Sequence, residues 1–216
     1  MALITDYDTL KTAVALYQWR TDDTAFENNV DSMIQNAGAR LNRKLQLRVM
    51  QVNTDLTGTI GSREIALPSD YVEPISLHLT TFGEPCELRP SIAGQMPLHT
   101  GNASPDAWCI DGTNISLDHP CDVAHTFRFR YRKSLVLDAT TTTNWLLTNH
   151  PDIYLAAVCV WGGVFMRDQE EAVKHKALLE EGLEELGNIE SRNTSIAPLT
   201  VDAALVSRGG FNINNG

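Results

Sequence analysis

The chain has 216 residues, of which 43% are hydrophobic and 20% are charged, a balance typical of a globular protein with a substantial core. Its formal net charge of -10 at pH 7 argues against a protein that grips nucleic-acid phosphates over a broad surface. The N-terminus lacks an export signal, no apolar run is long enough to span a membrane, and the four cysteines show no CxxC pairing. We therefore expect reduced thiols in a cytosolic setting, with neither secretion nor membrane insertion.

Two helices are predicted in the first fifty residues. The first follows the candidate caps Thr5 and Asp6 and places Leu10, Val14 and Tyr17 on one face. A polar turn ends this helix, and a second, longer helix is predicted to follow it.

The second helix is the one that the sequence predicts most clearly. Thr24 and Glu27 have the spacing of a capping box at its start. Its apolar stripe consists of Phe26, Val30, Met33, Ile34, Ala37, Leu41 and Leu45. Its basic end consists of Arg40, Arg43, Lys44 and Arg48. These cations suit the negative end of the helix dipole, and a phosphate or subunit contact is the alternative interpretation.

From about residue 53 the pattern changes to short strands and turns. Strands are predicted at residues 64–67, 71–81, 86–89, 108–110, 114–117 and 126–132. Asp111 and Gly112 predict a hairpin turn, and residues 90–105 predict a loop.

The last of these strands has one aromatic face and one basic face. Arg128, Arg130 and Arg132 form the basic face. Because the chain is acidic overall, we favour pairing of these cations with acids of a neighbouring strand or chain. A DNA-binding module is the alternative interpretation of the same residues.

The stretch from Thr143 to Ala157 marks the change from strands back to helices. Pro151 suits a first helical position, Asp152 places a negative charge in the first turn, and Asn149 and His150 stand where a cap is expected. The junction residues are Trp145, Pro151, Asp152 and Tyr154. We predict that they have a structural role in joining the β region to the following helix.

Two further helices are predicted after this junction. Residues 151–167 are apolar almost all round, so this helix is expected at the centre of the structure, with Gly162 and Gly163 packed closely against another backbone. Asp168 and Glu171 resemble a cap for a final helix with an acidic outer face. The acidic candidates for lining a channel are Glu180, Glu181, Glu184 and Glu185.

Motifs for catalysis or cofactor binding are not found in the sequence. His119, Cys121 and His125 are the nearest approach to a metal cluster, but a fourth ligand at a familiar spacing is lacking. We predict a polar loop there, no enzymatic activity, no cofactor and no metal. A metal-dependent enzyme that uses these three residues is kept as the alternative class.

Two segments carry a resemblance to a known family. The residues concerned are Ala66, Leu67, Pro68, Ser69, Asp70, Tyr71 and Glu73, and then Thr143, Asn144, Trp145, Leu146, Leu147, Pro151, Asp152 and Tyr154. With the order of the predicted elements over about residues 5 to 195, the chain resembles the head-to-tail adaptor (connector) proteins of tailed bacteriophages.

The predicted elements and this resemblance together imply an α+β fold. We expect mainly an α-helical bundle of about four helices, with an inserted antiparallel β region between the N-terminal and C-terminal helix pairs. The expected parts are residues 1–52 and 143–192 for the helices, 53–142 for the β-rich insertion and 193–216 for an extended C-terminal tail.

The resemblance also implies a structural virion protein at the head-tail interface, made in the host cytoplasm. In that family about twelve copies form a homo-oligomeric ring beneath the portal, which joins capsid to tail and lets genomic DNA pass without specific binding. Portal protein and tail proteins are the implied partners, and no membrane is involved. The residues implied for portal binding are Arg192, Leu199, Val201, Leu205, Val206, Arg208 and Phe211. A tail terminator or other tail component is the near alternative.

Overall fold

The computed structural model describes residues 3–81 and 83–194, with side chains up to residue 192. In these ranges five α-helices occur: α1 (Tyr7–Tyr17), α2 (Thr24–Lys44), α3 (Trp145–Asn149), α4 (Pro151–Phe165) and α5 (Gln169–Thr194). The strands are β1 (Gln51–Thr57), β2 (Glu64–Ala66), β3 (Tyr71–Leu79), β4 (Cys86–Glu87), β5 (Arg89–Pro90), β6 (Ala107–Asp111), β7 (Asn114–Leu117) and β8 (Thr126–Lys133). None of the described helices is both long and apolar enough to cross a membrane.

The helices pack around α4, as its all-round apolar sequence predicts. Every residue from Ile153 to Val160 is buried, and α4 contacts α1, α2, α3 and α5. The predicted stripe of α2 is buried along its whole length, from Phe26 to Leu45. Each large apolar side chain buried here, such as Phe26 or Leu155, contributes about 1.5–3 kcal/mol to the stability of the bundle.

Polar side chains define the starts of the helices. Asp6 caps α1 in a capping box with Thr9, which confirms one of the two predicted caps. The cap of α2 is Asp23, whose carboxylate accepts from the backbone N–H groups of Ala25 and Phe26. The predicted cap Thr24 is therefore wrong by one residue, because the neighbouring carboxylate takes the role.

The strands form two four-stranded sheets. The first has the order β1-β8-β3-β4 and the second β2-β7-β6-β5, and all neighbours are antiparallel except β5 and β6, which are parallel. The predicted hairpin turn joins β6 to β7, with Gly112 at φ 58°. Trp108 of the second sheet meets Phe129 of the first edge to face, with ring centroids 6.0 Å apart.

The expectation of mainly a helical bundle with an inserted antiparallel β region is wrong. The two sheets enclose a hydrophobic core of their own. This core consists of Ile65, Leu77, Leu79, Leu88, Trp108, Ile115, Leu117, Cys121, Phe127, Phe129 and Tyr131. The pairing of β1 with β8 joins segments some seventy residues apart, and short alternating strands do not disclose such distant partners. The structure is α+β with a substantial sheet region, and one of its strand pairs is parallel.

Hydrogen bonds fasten the chain that leaves the sheets to the helices. The Asn42 side chain of α2 donates to the backbone oxygen of Leu135 at 3.2 Å and accepts from its N–H at 2.8 Å. Leu135 itself is buried in the helical core. Because both polar groups of this backbone unit are satisfied, the segment after β8 has a fixed position against α2.

Candidate functional site

The end of α1 holds a tryptophan in an unusual backbone conformation. The N–H of Arg20 donates to the carbonyl of Ala15 at 2.8 Å, and that of Trp19 donates to Leu16 at 3.1 Å. These two bonds form a Schellman motif, whose left-handed position is normally glycine. Here it is Trp19, with φ 54°. A bulky side chain in this conformation costs about 1–2 kcal/mol.

The Trp19 side chain is also the most exposed large apolar group that the structure describes, at 91%. Leu3 is 79% exposed and Leu16 48% exposed beside it. These residues border an apolar groove, which we name the Trp19 groove. It is lined by Leu3, Ile4, Ala13, Leu16, Tyr17, Trp19, Pro151, Asp152 and Leu155.

An exposed apolar patch with a strained residue at its centre is typical of a binding surface. The left-handed conformation of Trp19 and the exposure of its side chain both disfavour the isolated chain. Tryptophan is also the residue type most enriched at the energetic centre of protein interfaces. We therefore take the Trp19 groove as the candidate functional site.

The Trp19 groove continues into an acidic strip between α4 and α5. This strip is lined by Tyr17, Asp152, Leu155, Ala156, His175, Leu178, Glu181, Gly182 and Glu185. Burial lowers the pKa of His175, whose Nε2 lies 3.3 Å from the Gln18 side-chain nitrogen. Because the imidazole is then neutral at pH 7, the strip keeps a net negative charge.

The four predicted channel acids are all exposed, but α5 divides them between two flanks. Glu181 and Glu185 line the acidic strip. Glu180 and Glu184 line a separate groove on the other flank, where the Lys44 Nζ lies 4.0 Å from Glu180. The structure therefore does not bring the four side chains together on one surface.

The basic end of α2 lies on this second flank of α5. Besides the Lys44 contact, the backbone N–H of Arg48 donates to Glu190 of α5 at 2.8 Å. Arg43 of the same helix end is exposed and forms no ion pair with the residues that the structure describes. Arg43 is thus a cation near the end of α2 that is available for a partner.

The junction residues lie between the sheets and α4. Pro151 occupies the first turn of α4 as predicted, Tyr154 is buried, and its hydroxyl accepts from the Asn144 side chain at 3.0 Å. Trp145 is half-buried and begins the short helix α3, which Asn144 caps. His150 occupies the N-cap position of α4, within the predicted cap, but its side chain makes no capping hydrogen bond. The Asn149 side chain instead donates to the carbonyl of Trp145.

Most residues implied for portal binding lie outside the described part of the chain. These are Leu199, Val201, Leu205, Val206, Arg208 and Phe211. Arg192 is exposed in the last described turn of α5.

The basic strand face is largely neutralised within its own sheet. Arg128 lies 3.2 Å from Asp55, and Arg132 lies 2.7 Å from Glu73. Arg130 donates to the Gln51 side chain at 2.8 Å. The predicted pairing with acids of neighbouring strands is confirmed for two of the three arginines, which weakens the interpretation of this face as a DNA-binding surface.

The three residues of the alternative metal site have separate surroundings. Cys121 is buried in the sheet core, where burial raises the pKa of its thiol. The His125 Nε2 lies 2.7 Å from Asp122, and its Nδ1 lies 3.2 Å from Thr81. Within the described residues, the potential metal-binding cluster instead combines His119 with His99 and Asp118.

Sequence reasoning missed the Trp19 groove. Trp19 follows the stripe of α1 and precedes the polar turn at Thr21, so its helical spacing gave no reason to single it out. The available signal was a large aromatic residue directly before a polar, turn-forming sequence, where few buried neighbours are expected.

Comparisons with known proteins bear on the chain as a whole. No curated protein sequence matched it. The family model described as SU10 adaptor protein matches residues 5–202, a range that includes all five helices and both sheets. Since the match extends over nearly the entire chain, the protein belongs to the SU10 adaptor protein family, a phage head-to-tail adaptor family.

Proposed function

We propose that this chain is the subunit of a homo-oligomeric ring that sits beneath the phage portal, connects capsid to tail and lets DNA pass. The family match over residues 5–202 is the observation that carries the proposal. An adaptor of this kind needs a rigid scaffold and exposed association surfaces. The two hydrophobic cores and the Trp19 groove fit those requirements.

The Trp19 groove is the proposed contact with the next copy of the chain. A closed ring uses a heterologous interface, in which two different patches of each subunit meet. The Trp19 groove with its acidic strip supplies one patch, and the exposed Arg43 near the end of α2 supplies a cation for the second. In such a ring Trp19 is buried and Arg43 of one copy faces Glu181 and Glu185 of the next.

Passage of DNA requires a channel wall that does not hold phosphates. The chain carries a net charge of -10, and its exposed acids Glu180 and Glu184 remain candidates for that wall. Because the proposed contact places Glu181 and Glu185 against the next copy, these two acids do not line the wall in this arrangement.

A substitution at Trp19 can test the effect on assembly separately from the effect on folding. Trp19→Gly relieves the left-handed strain, so we expect unchanged stability or a gain of up to about 1 kcal/mol, together with loss of oligomers or of rings on portals. Arg167→Gly is the matched control, because Arg167 is exposed, has φ 58° after α4 and lies outside the Trp19 groove. Normal assembly by the Trp19→Gly variant, measured by mass photometry and electron microscopy, would overturn the proposed contact.

A tail terminator or other tail component is the second candidate within the same structural class. The two are separated by their binding partner. Binding of purified protein to portal rather than to tail tubes supports the adaptor, and binding to tail tubes alone supports the alternative.

A further inference from the structure

A polar cluster lies on the sheet region, far along the chain from the Trp19 groove. The residues are His99, in the loop between β5 and β6, and Asp118 and His119, directly after β7. The backbone N–H of His99 donates to the carbonyl of Asp118 at 3.0 Å, which brings the two segments together. Neither the assembly contact nor the sheet core uses these side chains.

The Asp118 carboxylate is almost completely buried, and one of its two oxygens accepts three hydrogen bonds. Its Oδ1 accepts from the backbone N–H groups of Asp106, Ala107 and His119 at 3.1, 3.2 and 3.1 Å. Its Oδ2 accepts no hydrogen bond from the residues that the structure describes and lies 4.0 Å from the His119 Nε2. Three donors therefore orient the carboxylate so that its second oxygen faces the imidazole.

The His119 ring is oriented in the way that metal ligands usually are. Its Nδ1 lies 3.2 Å from the carbonyl oxygen of Gly101. Because a carbonyl only accepts, Nδ1 carries the proton in the neutral ring, which leaves the Nε2 lone pair on the side of the Asp118 Oδ2. A backbone carbonyl that holds the second ring nitrogen is the common support for a histidine ligand.

His99 completes the group. The potential ligand atoms of His99, Asp118 and His119 all lie within 4.8 Å of one another. The His99 ring stacks on that of His119, with ring centroids 4.2 Å apart and 9° between the planes, so the nitrogen lone pairs of the two rings lie in nearly parallel planes. They converge on one ion only when a ring turns, and His99 is exposed and able to do so.

We propose that His99, Asp118 and His119 bind a divalent transition-metal ion of the zinc class. Two imidazoles and one carboxylate form a ligand set that suits such ions, with water in the remaining positions. Tetrahedral bonds of about 2.1 Å separate neighbouring ligand atoms by about 3.4 Å, so the 4.0 Å gap between Asp118 and His119 closes only slightly. The ion cross-links the loop of residues 91–106 to the segment after β7.

Calorimetric titration of the full chain with zinc chloride tests this site. We expect one Zn²⁺ per chain and no comparable binding of Mg²⁺. His99→Ala removes an exposed ring and should weaken Zn²⁺ binding at least about tenfold. His78→Ala, which removes a histidine of β3 outside the cluster, is the control and should leave binding unchanged.

Thermal unfolding gives an independent readout. Zn²⁺ should raise the Tm of the wild type and of His78→Ala, and should leave that of His99→Ala unchanged. Absence of stoichiometric binding, or equal affinity in the wild type and His99→Ala, would overturn the proposal. Neither result bears on ring formation, which depends on other residues.

Discussion

Gly163 of α4 lies directly against the backbone of Ala172 of α5. A Cβ atom at Gly163 would come within 2.8 Å of the Ala172 nitrogen and 3.0 Å of its Cα. The neighbouring atoms belong to a helix backbone, so they cannot move aside as the end of a side chain can. The absence of a side chain at Gly163 therefore sets how closely α4 and α5 pack.

Gly163→Ala should destabilise the protein by about 1–3 kcal/mol, because overpacking outweighs the gain in helix propensity. Chemical denaturation followed by circular dichroism measures this change. Gly187→Ala is the control, since a Cβ there meets nothing within 4 Å and alanine favours the helix by about 1 kcal/mol. Equal stabilisation by both substitutions would contradict the close contact.

Reversing one charge across the proposed subunit contact should impair assembly, and reversing the second charge as well should restore it. We expect Arg43→Glu alone and Glu181→Arg alone to reduce ring formation, because each places like charges opposite one another. The double variant restores the attraction with its direction reversed, so it should assemble better than either single variant. Mass photometry at low and at high salt measures this. No recovery in the double variant would argue against the pairing of these two residues.

Trp145→Ala should damage folding first and assembly as a consequence. Trp145 packs against the helical core, and its ring centroid lies 5.4 Å from that of His150. For a half-buried tryptophan we expect a loss of about 2–3 kcal/mol in the free energy of unfolding. Trp19→Gly is the contrasting case, with assembly lost and stability kept. Normal stability of Trp145→Ala with selective loss of portal binding would contradict the structural role.

Asp31 links α2 to α1 in a pH-dependent manner. Its carboxylate accepts from the Lys11 ammonium at 2.8 Å and the Tyr7 hydroxyl at 2.7 Å. These bonds, that of Lys11 first, hold the pKa of Asp31 below its usual value. A lowered folded-state pKa gives stability that is fully present above the unfolded pKa of about 4 and is lost as the pH falls through the folded value.

Asp31→Asn should therefore lower stability at pH 7 and approach the wild type below about pH 4. The side chain is 57% exposed, so solvent screening limits the loss to about 1 kcal/mol. Urea denaturation at several pH values measures the difference. Asp22→Asn, at an exposed position in the turn before α2, is the control. A constant difference between Asp31→Asn and the wild type across this pH range would contradict the assignment.

Local patterns predicted the helices well because the position and the buried face of a helix are determined by residues that are close together in the sequence. The stripe of α2, the buried position of α4 and the close approach at Gly163 all follow from side-chain spacing and size. The cap of α2 was misplaced because Asp23 and Thr24 are adjacent residues of similar capping ability. At that scale the sequence alone does not choose between them.

The sheets and the site depend on contacts between distant residues. Several strands were predicted near their observed positions, but the pairing of β1 with β8 and the parallel pair of β5 and β6 depend on the complete fold. Trp19 is a candidate contact residue because it is exposed beside Leu3 and Leu16. His99 is a candidate metal ligand because it lies close to Asp118. Sequence spacing contains neither relationship.

Electron microscopy of the purified protein mixed with its portal tests the central claim most directly. We predict a ring of this chain stacked coaxially on the portal, with Trp19 buried between adjacent subunits and an open central channel. Particles in which the portal remains bare, or in which the chain binds away from the portal axis, would contradict the proposed function.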